Sequence, residues 1–427
     1  WAHATSKDLI HWKQLPVAIR EENGIMIFSG SCVVDKNNTT GFATKKGQIP
    51  MVAIYTGHIE NTNQSQHLAF SLDNGLTWTK YKNNPILDLH KKDFRDPKVF
   101  WYAPKNYWVM AVVLPVEHMV QFYSSPNLTA WKHLSNFGPA GDTAEVWECP
   151  DLVEVPVEGN PSKKKWVLQT SQHASMQYFV GEFDGVNFIN ENPAGKILRP
   201  DYGPEYYAGI SYNQLPATQA PTATGWVNNW NYANDIPTTP WKGAMSLPRK
   251  MSLKKMGDEW ILLQQPVAAI KQLRQPLLIQ LNNKIVDGVT TLSTATTQCE
   301  IELVIEPAAN SVCGLRLAAG HNHAFEIGYD AAKQELYIDR SNTAQQSFNK
   351  NFEKLKRYQT TLVLKNKTLK LHVFFDNSIV EVFANDGEAV LTAQFFSDKE
   401  DKGITVFSEG GKSKIAGLQL WPIKSVW

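Results

Sequence analysis

Long apolar runs are missing from this chain of 427 residues. No stretch approaches the roughly 18 to 20 residues that a membrane-spanning helix needs, so no such segment is expected. Cysteine is scarce: Cys32, Cys149, Cys299 and Cys313 form no C-x-x-C pair, which excludes a disulfide framework and a zinc site of the usual spacing. An excess of either charge is also absent. Lys and Arg number 42 against 41 Asp and Glu, a net charge of +1, so no global field draws the chain to nucleic acid or an anionic membrane. Charged residues make up only 19%, below the roughly 25% usual for globular domains. An initiator Met and a signal peptide are lacking too; Trp1-Ala2-His3 opens the chain, and the expectation is an N-terminus upstream of residue 1 or removed. No convincing amphipathic helix is found, and no residue set points to a required metal or organic cofactor.

What is present is ring and strand. The chain carries 14 Trp, 14 Tyr and 19 Phe, flat side chains that fill β-sheet cores and on which sugars stack. Segments such as Met51-Val52-Ala53-Ile54-Tyr55 and Trp166-Val167-Leu168-Gln169-Thr170 are β-branched and aromatic, separated by turn clusters such as Asp73-Asn74-Gly75. The fold class read from this is all-β, and the length suits two or three domains.

A repeat organises the first part. A turn ending on an aromatic ring recurs at Ser6 to Trp12, Ser71 to Trp78, Ser125 to Trp131 and, in degenerate form, Phe183 to Phe188. The aromatic ends are 66, 53 and 57 residues apart, the length of one four-stranded propeller blade with its loops. A second ladder runs through Ser29, Asp96, Glu148 and Asp201, which follow the aromatic ends by 17, 18, 17 and 13 residues. Polar groups at one phase of each blade would face one place, the mouth of the central channel. Four phases are visible and a fifth would begin before residue 1, so five blades are expected, the first incomplete. From about residue 266 onward the blade signals stop and short strands continue, at 301–305, 325–329, 335–339, 361–365, 369–375, 379–384 and 404–408. The expected organisation is a propeller at 1–266, a linker at 267–276 and a β-sandwich at 277–427.

Taken singly, Asp96 before Pro97 reads as a turn and Glu148 beside Cys149 as little more. Their shared blade phase brings two carboxyls to one aromatic-rich pocket, which glycoside cleavage requires. The motifs carrying these residues resemble glycoside hydrolase family 32, the β-fructofuranosidases: Phe28-Ser29-Gly30-Ser31, Phe94-Arg95-Asp96-Pro97, Glu148-Cys149-Pro150-Asp151, Asp201-Tyr202-Gly203, Gly225-Trp226-Val227-Asn228-Asn229-Trp230, Met245-Ser246-Leu247-Pro248-Arg249 and Asp376 to Phe383. That family's five-bladed propeller followed by a β-sandwich agrees with the blade count.

The resemblance implies a retaining hydrolase that releases fructose from levan, inulin or sucrose. It makes Glu148 the general acid/base, a task for which a carboxyl works best with its pKa near the working pH. It makes Asp96 the transition-state stabiliser with Arg95 beside it, and gives Phe28, Ser29, Asp201 and Trp226 to the fructose subsite. The family's nucleophile, an Asp in a Trp-Met-Asn-Asp-Pro-Asn-Gly-type motif, is absent from the sequence; the expectation is that it lies upstream of residue 1. Asp386, in the sandwich, does not replace it. Two other readings stay open: a non-catalytic fructan-binding propeller, and an inverting five-bladed glycosidase with carboxyls about 6.5 to 9.5 Å apart. The expected partner is a fructan or sucrose, with neither nucleic acid nor a membrane span. A monomer is expected, a dimer is compatible, and polymeric substrates suggest a secreted, periplasmic or cell-surface protein.

Overall fold

The computed structural model describes residues 1–193, 195–216, 218–293 and 296–426. The protein is a five-bladed β-propeller, its first blade incomplete in this chain, followed by a β-sandwich. It divides into two compact units: Trp1–Leu198 with Ala208–Ala223 and Met251–Ile261, and Arg199–Tyr207 with Thr224–Lys250 and Leu262–Trp427.

In the first unit, His3–Ser6 pairs with Trp12–Leu15 as a two-stranded ribbon. The next sheet runs Met26–Val34, Met51–Ile59, Asn63–Ser71 and Thr79–Lys80, with Leu87–Lys91 also on Asn63–Ser71. Two further antiparallel runs follow: Arg95–Tyr102, Tyr107–Leu114, Met119–Ser125 and Lys132–Phe137, then Trp147–Val157, Asn160–Gln172, Ser175–Phe183 and Phe188–Asn190, the latter joined to Arg249–Met256 by a parallel pairing of Val157 with Leu253. Their apolar faces pack on one another through residues such as Val52, Phe94 and Met110, and through Val109, Phe122, Trp147 and Phe179. Strands Tyr207–Ser211, Thr222–Val227, Arg249–Met256 and Glu259–Pro266 belong to the last blade, which the division between units crosses.

The recurring turn is one structure repeated. Leu9, Gly75, Leu128 and Gly185 all hold positive φ, from 63° to 91°. In each turn an Asp or Asn side chain, two residues past the Ser or directly after Phe183, accepts backbone N–H bonds: Asp8 from Ile10 and His11, Asp73 from Thr77, Asn127 from Thr129 and Ala130, Asp184 from Val186 and Asn187. In the first three the closing Trp returns its indole N–H to the carbonyl of Leu9, Gly75 or Leu128 at 3.0–3.2 Å.

The inner strands share a second device. Register steps by one extra residue between Ile27 and Gly30, between Arg95 and Lys98, and between Glu148 and Asp151. Each step is a β-bulge, which re-aims side chains at the strand's start. Asp96 (φ 65°) and Cys149 (φ 49°) occupy equivalent places, and Ala208 (φ 50°) repeats the conformation in Tyr207–Ser211. The fourth rung is thus Ala208 rather than Asp201, because Asp201 precedes the strand. Deeper along the inner strands lies a buried ion pair, Lys98 Nζ to Asp151 at 3.0 Å, with Lys98 also on the Ser211 carbonyl at 2.6 Å.

In the second unit, the sandwich is one sheet folded over itself. The long strands Ile279–Ser293 and Gly403–Pro422 pair along most of their length and serve both halves. The start of Gly403–Pro422 carries Val312–Ala319, Phe325–Asp330, Glu335–Asp339 and Arg357–Thr361; its end carries Gln298–Glu306, Leu369–Asp376, Ile379–Ala384 and Ala389–Gln394. Gly288 (φ 74°) and Gly410 (φ 75°) supply left-handed conformations near the register break between the halves. A continuous core from Val286 to Leu420 fills the space inside.

The strand expected at 361–365 is instead Arg357–Thr361. Its partner begins at Glu335, which pairs with Thr361, so no ladder is left for the apolar residues that follow. Leu362 turns into the core and the chain passes through Asn366 and Lys367 at positive φ. Residues 268–273, within the expected linker, form a 3₁₀ turn.

Candidate active site

The site is built at the bulges of neighbouring inner strands. Arg95 and Asp96 begin Arg95–Tyr102, and Glu148 lies at the start of Trp147–Val157. A bulge lets successive side chains serve one cavity where a regular strand would send them to opposite faces. The positive φ of Asp96 and Cys149 is disfavoured for residues with a Cβ and is maintained here by specific bonds. The Asp96 N–H donates to Thr56 Oγ1 at 2.9 Å, and the Cys149 N–H donates to Asp96 Oδ2 at 2.9 Å.

Arg95 joins the two carboxylates. Its Nε and Nη2 donate to Glu148 Oε1 at 3.2 and 3.0 Å, while Nε stands 4.0 Å from Asp96 Oδ2. Its remaining nitrogen, Nη1, donates to Asp93 Oδ1 at 2.9 Å and to Gln64 Oε1 at 3.2 Å. Glu148 retains 26% side-chain exposure against 6% for Asp96 and 12% for Arg95. The glutamate is therefore the more accessible acid, and the aspartate forms the floor.

Burial pushes the Asp96 pKa up to about 6, with the Glu148 charge adding to the rise and the Cys149 N–H and Arg95 opposing it. Asp96 Oδ2 is committed to Cys149. Oδ1 accepts no bond from the protein among the described residues and is left for a ligand hydroxyl.

Phe28 and Ser29 lie inside the bulge of Met26–Val34. Ser29 is exposed, and the half-buried Phe28 ring stacks on His58 at 4.3 Å and 21°. Asp201 and Trp226 belong to the second unit. Both Asp201 oxygens are engaged by protein donors: Oδ1 by the Gly203 and Thr392 N–H groups, Oδ2 by Arg249 Nη1 at 2.8 Å and Thr392 Oγ1 at 2.7 Å. With Arg249 also on Glu381 at 2.6 Å, Asp201 is part of a buried ion-pair network rather than a carboxylate open to a sugar. Trp226 is half-buried, its ring 4.9 Å from that of the exposed Trp230, with Tyr207 at 6.4 Å.

Sequence reasoning missed Gln64, His58, Asp93 and Thr56, which support Arg95, Phe28 and Asp96. For Gln64 the signal was the unbroken polar run Asn63-Gln64-Ser65-Gln66-His67, unusual in a buried strand; His58, Asp93 and Thr56 carried none. Metal-competent groupings occur in the second unit, Glu300, Glu302 and His372 among them, but Arg274 already neutralises Glu300 through two hydrogen bonds.

Residues 1–266 match the glycosyl hydrolases family 32 N-terminal domain and residues 269–422 the family 32 C-terminal domain. A levanase of Bacillus subtilis is 42% identical over the whole of this chain, which spans 64% of that protein's length. An extracellular exo-inulinase of Aspergillus awamori is 35% identical, with all of this chain and 87% of the relative covered. The crystal structure of an exo-inulinase from Aspergillus awamori superposes with a TM-score of 0.94 at 34% identity, covering all of this chain and 90% of that one. A β-fructofuranosidase of Schwanniomyces occidentalis complexed with fructosyl-erythritol gives 0.86 at 30% identity, covering all of this chain and 89% of that one.

Proposed function

The chain belongs to glycosyl hydrolase family 32, and from that premise we propose that it is a retaining glycosidase acting on β-fructosides, releasing fructose from levan, inulin or sucrose. The observation that carries the reading is the Arg95 guanidinium bonded to Glu148 beside the buried Asp96, all three at matched bulges. Glu148, the more exposed acid, protonates the glycosidic oxygen and later takes the proton from water. Asp96 accepts hydroxyls of the fructosyl ring on its unoccupied oxygen, and its charge stabilises the oxocarbenium-like transition state. Arg95 holds Glu148 in place. Phe28 and Ser29 form the wall. Asp201 acts indirectly, by anchoring its own segment.

A retaining displacement also needs a carboxylate nucleophile roughly 5 to 5.5 Å from the acid, and no motif in residues 1–427 supplies it. We place it outside these residues. The names of the relatives, extracellular exo-inulinase and levanase, support an exported protein and a fructan substrate. No observation favours a purely binding propeller.

The test is fructose release from levan, inulin and sucrose, with Glu148→Gln as control. These 427 residues alone are expected to release no more than the control. The same chain preceded by a Trp-Met-Asn-Asp-Pro-Asn-Gly segment is expected to release fructose, and Glu148→Gln to cut that rate by about 10²–10⁴-fold. A rate indifferent to Glu148, or no release with the segment supplied, would overturn the assignment.

A further inference from the structure

Gln64 stands at 3% exposure in Asn63–Ser71, outside every motif that points to chemistry, yet its amide is engaged on both ends. Oε1 accepts from the Phe94 N–H at 3.0 Å and from Arg95 Nη1 at 3.2 Å. Two donors on one atom identify it as the oxygen, so the nitrogen is the end that faces His58 Nδ1 at 3.3 Å. An amide nitrogen only donates. His58 Nδ1 is therefore the acceptor and its ring proton sits on Nε2. The same His58 ring stacks on Phe28.

From this geometry we propose that Gln64 is a positioning residue that sets Arg95, and through it Glu148, relative to the Phe28 wall. The chain of contacts is continuous: Phe28 on His58, His58 to Gln64, Gln64 to Arg95 Nη1, Arg95 Nε and Nη2 to Glu148 Oε1. Its logic is that of a planar fork. A guanidinium has five N–H groups in one rigid plane, so fixing Nη1 fixes the direction in which Nε and Nη2 point. Gln64 and Asp93 hold Nη1 from the protein side. Of the two, Asp93 is 38% exposed and its grip is weakened by water; Gln64 is buried and supplies the constant part. The Gln64 bond to the Phe94 N–H also ties the fork to the backbone immediately before the bulge, so strand and guanidinium move together.

The inference rests on the proposed fructosidase reading for its meaning, but its test does not require turnover. We would compare wild type, Gln64→Leu and Gln64→Glu by two measurements: the ¹⁵Nε–¹Hε resonance of Arg95 with its solvent exchange, and fructose affinity by titration calorimetry. Thermal unfolding identifies a variant that has not folded. Gln64→Glu keeps an acceptor for Arg95 and the Phe94 N–H, whereas Gln64→Leu keeps only the volume. Expected are a protected, displaced Arg95 Hε in wild type and Gln64→Glu, and loss of that protection in Gln64→Leu with about tenfold weaker fructose binding. An unchanged Arg95 Hε in a folded Gln64→Leu overturns the proposal, as does equal damage from Gln64→Glu, which would signal a packing role. If wild type binds no fructose, the functional reading fails while the Arg95 resonance still decides the positioning role.

Discussion

Asp96 shows how a functional side chain is set against stability. Burial raises its pKa to about 6 from the ordinary 3.8, so the folded protein holds this proton more tightly than the unfolded chain. Between about pH 4 and 6 the native state binds more protons, and stability falls as pH rises through that window. Above it the carboxylate is charged in both states and the full penalty persists. Asp96→Asn keeps an acceptor for the Cys149 N–H and removes the charge. It is expected to stabilise the fold by about 1–3 kcal/mol at pH 7 and by nothing near pH 3, in urea unfolding at the two pH values. Equal stability of the two proteins at pH 7 would refute the burial argument. The opposite case is Asp201, whose charge is matched by Arg249 and two N–H donors. A carboxylate in Asp-x-Gly reads as a turn or a site. The Arg249 and Thr392 that claim it lie 48 and 191 residues away, so nothing local announces them.

At the scale of the element, the turns and bulges explain why the blades were legible. Each turn is stabilised by a side chain bonding to backbone within four residues of itself, so the sequence must repeat wherever the structure does. The bulges at Phe28-Ser29, Asp96-Pro97 and Cys149-Pro150 recur at one phase of the repeat, which placed Asp96 and Glu148 on adjacent inner strands, although the bonds that hold Asp96 and Cys149 come from residues 40 and 53 positions away. The end of Arg357–Thr361 was not legible, because it depends on where a partner strand begins rather than on its own residues. Nor was Gln64, whose partners come from two other segments, His58 and Phe94-Arg95. One glycine carries the first bulge: a Cβ on Gly30 would lie 2.1 Å from the Ile54 carbonyl oxygen and 2.6 Å from the Tyr55 Cα. Backbone cannot yield as a side-chain tip can. Gly30→Ala is therefore expected to push Met26–Val34 away from its neighbour and misplace Phe28 and Ser29 together. It should weaken fructose binding more than Ser29→Ala does, by titration calorimetry; the reverse order would show that the bulge does not aim these residues.

For the whole molecule, the fold class followed from absences as much as from motifs. Few cysteines, little net charge and no long apolar run left an aromatic-rich β protein, and the period of about 53 to 66 residues made its first part a propeller. Within the second unit, Arg249 ties Asp201 to Glu381 and Thr392, and Arg340 ties Glu205 to the Gln394 carbonyl, so segments 199–207 and 224–250 are ion-paired to sandwich strands. Buried pairs of this kind cost about 3–5 kcal/mol to break from one side, which makes them specific latches. We propose that Asp96 and Glu148, joined by Arg95, form a fructose-binding site in the first unit. The most direct measurement is a calorimetric titration of the 427-residue protein with fructose, beside Asp96→Ala. We predict saturable binding to the wild type and a loss of at least tenfold in the variant, as expected when a charged acceptor for sugar hydroxyls is removed. Equal binding by the two proteins, or none by either, would contradict the claim.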